Sequence, residues 1–227
     1  MSNKVLVLLA GSGAKDGSEI REAVLTLTAI EKAGLSFQCT APNKEQADVV
    51  NFIDDTQMAE KRNVLTESAR IARGDILDLS QVKIADYCAL AIPGGFGVAK
   101  NLCSFAFEGP KASVDPEAKR IIQDTFKAKK PIMAVCIAPA LVALSLQDLQ
   151  PGIKLTLGQD KDPMEALKAM SAEPCPCPTR EFTIDEEHKI VSTPAYMHGD
   201  SSLLELDEGI NKAVQATKQL IQVSISA

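Results

Sequence analysis

The sequence has no long uninterrupted run of apolar residues and no excess of positive charge. None of its apolar stretches approaches the roughly 20 residues that a helix needs to span a bilayer. The 24 lysines and arginines are outnumbered by 30 acidic residues, which gives a formal net charge of −6. Nucleic acids and anionic membrane surfaces repel a protein of this charge, so we expect neither as a partner.

The first residues also lack the arrangement of a secretory leader, in which a charged region, an apolar core and a cleavage site follow one another. Met1-Ser2-Asn3-Lys4 runs directly into a predicted strand. We therefore expect a cytosolic protein whose six cysteines are free thiols. No metal site is predicted, because Cys175-Pro176-Cys177 offers only two ligands and His188 is a distant third.

Short apolar segments alternate with segments of helical periodicity along the whole chain. Strands are predicted at 5–10, 35–40, 87–92, 131–135 and 153–158, with a hairpin around 182–191. Helices are predicted at 16–34, 63–73, 115–130, 137–146, 163–170 and 201–223. Neither a repeat nor a linker interrupts this order, so residues 1–227 are predicted to form one domain. Its fold class is α/β, with a doubly wound, mostly parallel sheet and helices on both faces.

Three loops that follow predicted strands define a candidate site: residues 11–19, 93–97 and 136–138. The carboxyl ends of parallel strands share one edge of the sheet, and ligands bind there. The first loop begins with Gly11-Ser12-Gly13, but Asp16 stands where the dinucleotide fingerprint needs its third glycine. NAD and FAD are therefore not expected.

Cys136 occupies the most informative of these loops. An apolar strand precedes it, Ala134 and Ala138 flank it at two residues' distance, and Pro139 suits the first turn of a helix. This order of strand, sharp turn and helix predicts a nucleophile elbow with cysteine in the place of serine. The positive end of the helix dipole is expected to lower the pKa of the thiol. The alternative is a small buried core residue, which is the commonest environment of a free cysteine.

Glu19 opens the first predicted helix and is the candidate carboxyl partner of Cys136, as a general acid or base. The alternative is a capping box, because Asp16 precedes it by three residues. Glu22 is a weaker candidate, since it lies further from the loop. The apolar face of this helix is predicted to contain residues 20, 23, 24, 27 and 30.

Gly94 and Gly95 follow the strand at 87–92. Without side chains, their N–H groups can approach a ligand closely. Together with the N–H of Ile137 they are predicted to form an oxyanion hole. A simple turn at the end of a strand explains the two glycines equally well.

Several stretches, spread over essentially the whole chain, carry a resemblance to a known family. They are Gly17-Ser18-Glu19-Ile20, Arg62-Asn63-Val64-Leu65, Ala69-Arg70-Ile71-Ala72-Arg73-Gly74, Pro93-Gly94-Gly95-Phe96-Gly97, Ala99-Lys100-Asn101-Leu102, Cys136-Ile137-Ala138-Pro139-Ala140 and Thr193-Pro194-Ala195-Tyr196-Met197. The sequence resembles the PfpI-type superfamily, also described as class I glutamine amidotransferase-like. Within it, the chain is similar to the ElbB subfamily of enhancing lycopene biosynthesis proteins.

The resemblance implies a flavodoxin-like fold and a homodimer. It also implies a nucleophilic Cys136 beside Glu19, with Gly95 and Ile137 as backbone donors. The implied activity is a cofactor-independent glyoxalase, a lyase that converts glyoxal to glycolate and, by extension, methylglyoxal to lactate, or acts as a protein deglycase. Its substrate is a small reactive dicarbonyl, and neither a metal nor an organic cofactor is required.

The chain departs from many relatives because Ile137 stands directly after the cysteine, where they carry a histidine. His198, in a loop that the family places near the elbow, and Asn101 remain further candidate site residues. A Cys-His-Glu amidotransferase triad is not expected. The alternatives are a redox sensor, a regulatory protein of isoprenoid synthesis, and an amidohydrolase that acts with a separate partner.

Overall fold

The computed structural model describes residues 2–226, so Met1 and Ala227, the ends of the predicted domain, lie outside the described residues. The strands are β1 (Lys4–Leu8), β2 (Ser36–Ala41), β3 (Ile76–Asp78), β4 (Ala89–Ile92), β5 (Ile132–Val135), β6 (Lys154–Leu155), β7 (Glu173–Pro174), β8 (Thr183–Asp185) and β9 (Ile190–Thr193). The helices are α1 (Ile20–Lys32), α2 (Val64–Ile71), α3 (Phe105–Glu108), α4 (Pro116–Lys127), α5 (Ala138–Leu146), α6 (Lys161–Ala169) and α7 (Leu203–Ser226). No helix in this part of the chain is long and apolar enough to cross a bilayer.

The main sheet has the order β3-β2-β1-β4-β5-β9-β8. All neighbouring pairs are parallel except β8 with β9, which form the predicted hairpin. The predicted mostly parallel α/β sheet is confirmed. The strand predicted at 153–158 is shorter and lies outside this sheet, where β6 pairs with β7. Side chains accept two backbone N–H groups of this predicted strand. Asp185 Oδ2 accepts the N–H of Lys154, and Ser192 Oγ accepts the N–H of Thr156.

The two faces of the sheet bury alternate residues of each central strand, as the two-residue period of a strand requires. Leu6 and Leu8 of β1 point into a core with α4 and α5. Val5 and Val7 point into a second core with α1 and α7. Helices therefore cover both faces, and the strand residues between them are almost entirely apolar.

Helix α1 buries only part of the face predicted for it, since Ala23 and Ile30 are buried and Leu27 is partly buried against the core. Ile20 and Val24 are nearly half exposed, at 46% and 47%. The buried stripe also contains Glu22, Thr26 and Ala29, which were not predicted to face the core. Two apolar stripes overlap on this helix, and the sheet covers the one that includes a glutamate and a threonine.

Strand β1 pairs with β2 on one side and with β4 on the other, so the direction of the strand order changes between β1 and β4. The loops after β1, β4 and β5 meet at the carboxyl edge beside this switch point. This is where ligands bind in open α/β sheets, and it is where the three predicted loops lie.

Candidate active site

Cys136 forms the sharp turn between β5 and α5. Its φ of +58° lies in the left-handed region, which a residue other than glycine or asparagine rarely adopts. The Cys136 N–H donates to Thr193 O (2.9 Å), which holds the turn against β9. Pro139 lies in the first turn of α5, as predicted. The cysteine is 8% exposed, so the predicted elbow carries a thiol that is buried but open on one side.

The carboxyl group beside this thiol belongs to Glu22, which is fully buried. Glu22 Oε1 accepts the N–H of Tyr196 (3.1 Å). The carboxyl also interacts with the Cys136 thiol and the Gly94 N–H. Oε2 nevertheless has no well-aligned hydrogen-bond partner among residues 2–226. An unsatisfied buried oxygen next to a thiol is costly for folding, and such groups are found at reactive sites.

Burial raises the pKa of Glu22 to about 8. The nearby Glu19 adds to this rise in pKa, whereas the Tyr196 N–H, the Cys136 thiol and the Gly94 N–H oppose it. Burial also raises the pKa of the Cys136 thiol well above its ordinary value, and the neighbouring Glu22 raises it further. The predicted lowering of the thiol pKa is therefore wrong, because desolvation outweighs the helix N-terminus and the backbone donors.

Glu19 is the N-cap of α1, and its Oε2 accepts the N–H of Glu22 (2.6 Å). It lines the same pocket as Cys136, but the thiol's carboxyl partner is Glu22, which corrects the predicted pairing. The predicted capping box is also wrong, since Asp16 is buried and accepts the N–H of Val50 (2.9 Å). A glutamate on the buried stripe of α1, in register with Thr26, was the signal that could have identified the partner.

The predicted backbone donors lie at the thiol. The N–H groups of Gly95 and Ile137 lower the pKa of the Cys136 thiol, against the larger effect of burial. Gly94 acts on the carboxyl group and not on the thiol. Its N–H lowers the pKa of Glu22, and its carbonyl accepts the N–H of Glu19 (2.8 Å). A Cβ at Gly94 would collide with the Cys136 side chain and with Glu22 Oε2. Only glycine lets the thiol and the acid come this close.

The other candidates do not contact the thiol. His198 Nε2 lies 3.2 Å from Cys177 O, and the imidazole faces a neighbouring loop. Asn101 is buried and fully used, since its Nδ2 donates to the carbonyls of Ala10 and Asp16 and its Oδ1 accepts the N–H of Ala47. It holds the loop after β1 in place. No histidine from the described residues lines the pocket.

A pocket of about 500 Å³ opens over Cys136. It is lined by Ala14, Lys15, Glu19, Gly95, Phe96, Cys136, Ile137, Tyr196, Met197 and Gly199. Residues 43–63, which have little regular structure, fold back towards its rim. Lys100 pairs with Asp48 of this segment (2.7 Å), and Lys15 pairs with Asp55.

We compared the chain with known proteins. No family model matches it. It is 37% identical to the human protein named glutamine amidotransferase-like class 1 domain-containing protein 3, mitochondrial, over 96% of this chain and 83% of that protein. A crystal structure of an isoprenoid biosynthesis protein with an amidotransferase-like domain from Ehrlichia chaffeensis superposes with a TM-score of 0.91, at 39% identity, over 96% of this chain and 99% of that one. Drosophila melanogaster DJ-1beta shares the fold alone, at 16% identity and a TM-score of 0.54 over the full length of both chains.

The predicted cytosolic location is contradicted by these relatives. The human protein and the rat and zebrafish ES1 proteins to which the chain is also similar are all named as mitochondrial. Free cysteines and a negative net charge do not distinguish the cytosol from another reducing compartment, so composition carries no information on this point.

Proposed function

This chain belongs to the class I glutamine amidotransferase-like family, and on that premise we propose that Cys136 and Glu22 convert small 2-oxoaldehydes to 2-hydroxy acids without a cofactor. Glyoxal would give glycolate, and methylglyoxal would give lactate. The quoted sequence motifs support assignment to the ElbB subfamily within this family.

One observation carries the proposal: a buried carboxyl group touches the thiol, and no histidine of the described residues lines the pocket. Hydrolysis of glutamine by a Cys-His-Glu triad needs an imidazole to protonate the leaving ammonia. Isomerisation of a hemithioacetal needs only one group that removes and returns a proton. A carboxyl group whose pKa is about 8 can both remove a proton and return it near neutral pH.

In the proposed reaction, the Glu22 carboxylate accepts the thiol proton as Cys136 Sγ bonds to an aldehyde carbon. The N–H groups of Gly95 and Ile137 stabilise the new oxyanion, which then takes the proton to give a hemithioacetal. Glu22 next removes the proton from this carbon and delivers it to the adjacent carbonyl carbon through an enediol, while the hydroxyl proton of the first carbon passes to the oxygen of the second. The first carbon is thereby oxidised to a thioester and the second is reduced to an alcohol. Water hydrolyses the thioester and restores the thiol.

The test measures glycolate formed from glyoxal by the purified protein in the presence of EDTA. Cys136→Ala is expected to abolish turnover, and Glu22→Gln to lower it by roughly 10²–10⁴-fold, the usual contribution of a general acid–base. Cys88→Ala is the matched control, because Cys88 Sγ lies 3.3 Å from Lys4 O, on the opposite edge of the sheet. Unchanged glycolate formation by Cys136→Ala would refute the proposal.

A second candidate is a non-enzymatic role in isoprenoid synthesis, favoured by the name of the similar Ehrlichia protein. In that case the pocket binds a ligand without turnover. We also propose a homodimer, in line with the family resemblance. The exposed Ile20 and Val24, one turn apart on α1, support such an interface, and sedimentation of wild-type protein and Val24→Lys would test it.

A further inference from the structure

We propose that the carbonyl substrate of this site carries an apolar chain of several carbon atoms, with glyoxal the smallest compound that reacts. This inference rests on the proposed function and concerns which 2-oxoaldehydes the site prefers. The observations behind it are the occupied polar groups of the pocket wall, the apolar residues between them, and the size of the pocket.

Each charged or hydroxyl-bearing side chain of the wall already has a partner within the protein. Lys15 pairs with Asp55. Glu19 accepts the N–H of Glu22, and Arg21 Nη1 donates to the Tyr196 hydroxyl (2.9 Å). A charged or strongly polar substituent on the substrate would have to compete with these existing contacts for Lys15, Glu19 or Tyr196.

The remaining wall is apolar. Ala14, Phe96, Ile137 and Met197 surround the space in front of the thiol, and Gly95 and Gly199 contribute no side chain. The polar groups that remain for a ligand are those at the deep end, where Glu22 and the backbone donors meet Cys136. A ligand that matches this pattern has a reactive carbonyl at one end and hydrocarbon at the other.

The size of the pocket points the same way. Pockets of about 300–1,000 Å³ bury ligands of drug size, and this one measures about 500 Å³. Glyoxal has no atoms beyond its two aldehyde groups, so it would leave most of this space to water held against apolar walls. A longer chain would displace that water and gain transfer free energy for each methylene buried.

The chemistry is unchanged by the chain. A 2-oxoaldehyde R–CO–CHO takes up one water and becomes R–CHOH–COOH, with the aldehyde carbon oxidised and the ketone carbon reduced. Only R differs between substrates, so its contribution is uniform binding. Such binding raises kcat/KM.

The experiment measures kcat/KM for methylglyoxal, 2-oxobutanal, 2-oxopentanal and 2-oxohexanal. Burial of one methylene is worth about a fourfold rise, so 2-oxohexanal should exceed methylglyoxal by about 60-fold. Phe96→Ser removes part of the wall and should reduce this ratio. Phe107→Ser is the matched control, since Phe107 is a similarly exposed phenylalanine on α3 outside the pocket, and it should keep the wild-type ratio.

Two outcomes overturn the inference. One is Cys136-dependent turnover with no rise along the series, which leaves the proposed function intact. If no aldehyde is turned over, the proposed function fails, and the binding of acetone, 2-pentanone and 2-hexanone to the Cys136→Ser variant decides the ligand class separately. Affinity that rises with chain length would then support the apolar ligand, and equal affinities would refute it.

Discussion

Replacing Glu22 by glutamine should change how the stability of the protein depends on pH. The folded state holds this carboxyl at a pKa of about 8, against an ordinary value of 4.5. Between these two values the folded protein binds a proton that the unfolded chain has released. The free energy of unfolding therefore falls as the pH rises from 4.5 to about 8, and this contribution is constant outside that range.

The size of the effect follows from the two pKa values. Each tenfold change in proton affinity is worth 1.36 kcal/mol, so the full change amounts to about 5 kcal/mol. Glutamine imitates the protonated acid and does not titrate. The stability of Glu22→Gln relative to wild type should thus rise by about 4 kcal/mol between pH 5 and pH 9, with most of the change complete by pH 8.

Urea unfolding followed by far-ultraviolet circular dichroism suits this measurement, since the chain has no tryptophan. Unfolding at several pH values, under reducing conditions, gives the difference between the two proteins at each pH. Glu19→Gln is the control, and it should follow the wild-type pH dependence because burial, not the charge of Glu19, is the larger cause of the raised pKa. A difference between wild type and Glu22→Gln that stays flat from pH 5 to pH 9 would refute the reasoning.

Three further predictions test the surroundings of the site. Gly94→Ala should lower turnover of glyoxal by more than about 100-fold, because the added Cβ separates Glu22 from Cys136. Gly34→Ala is the control and should keep its turnover, since Gly34 has open space around it. Equal rates of the two variants in steady-state assays would contradict this prediction. Asn101→Ala should lower the free energy of unfolding by about 3 kcal/mol, since it leaves two buried carbonyls and the partly buried Ala47 N–H unpaired; a loss of under about 1 kcal/mol in urea would be inconsistent with that account. His198→Ala should keep wild-type turnover, because its imidazole faces Cys177, and a large loss would place it in the mechanism.

The sheet and the elbow could be predicted because each follows from local patterns. The central strands are short apolar runs that end in glycine or cysteine, and burial on both faces demands such runs. Cys136 was recognisable because a tight turn accounts for the alanines around it and for Pro139 after it. The positive φ of Cys136 is the strain that those small neighbours accommodate.

The partner of the thiol could not be predicted with the same rules. Glu19 is the N-cap of α1 and Glu22 lies in its first turn, and Glu19 was favoured as the partner because it lies closer to the loop. Its carboxylate is in fact used by the helix, while Glu22 turns inward to meet the Tyr196 N–H from the other end of the chain. The buried stripe of α1 marks Glu22 as facing inward, but no local pattern identifies the distant Tyr196 that it meets.

Residues 43–63 illustrate the same limit. They have no helical or strand periodicity, and the contacts that order them join distant parts of the chain, as between Asp16 and Val50 or Lys100 and Asp48. Their position beside the pocket depends on these side-chain pairs. The sequence alone therefore left this segment without a role.

The protonated state of Cys136 has a practical consequence for how such proteins are found. Chemical surveys rank cysteines by how fast they react with iodoacetamide, and that rate follows the fraction of thiolate. A nucleophile that gives up its proton only when a carbonyl compound reaches it would rank low in such a survey. Aldehyde or ketone probes would be the better means of detecting the proposed reactivity in a proteome.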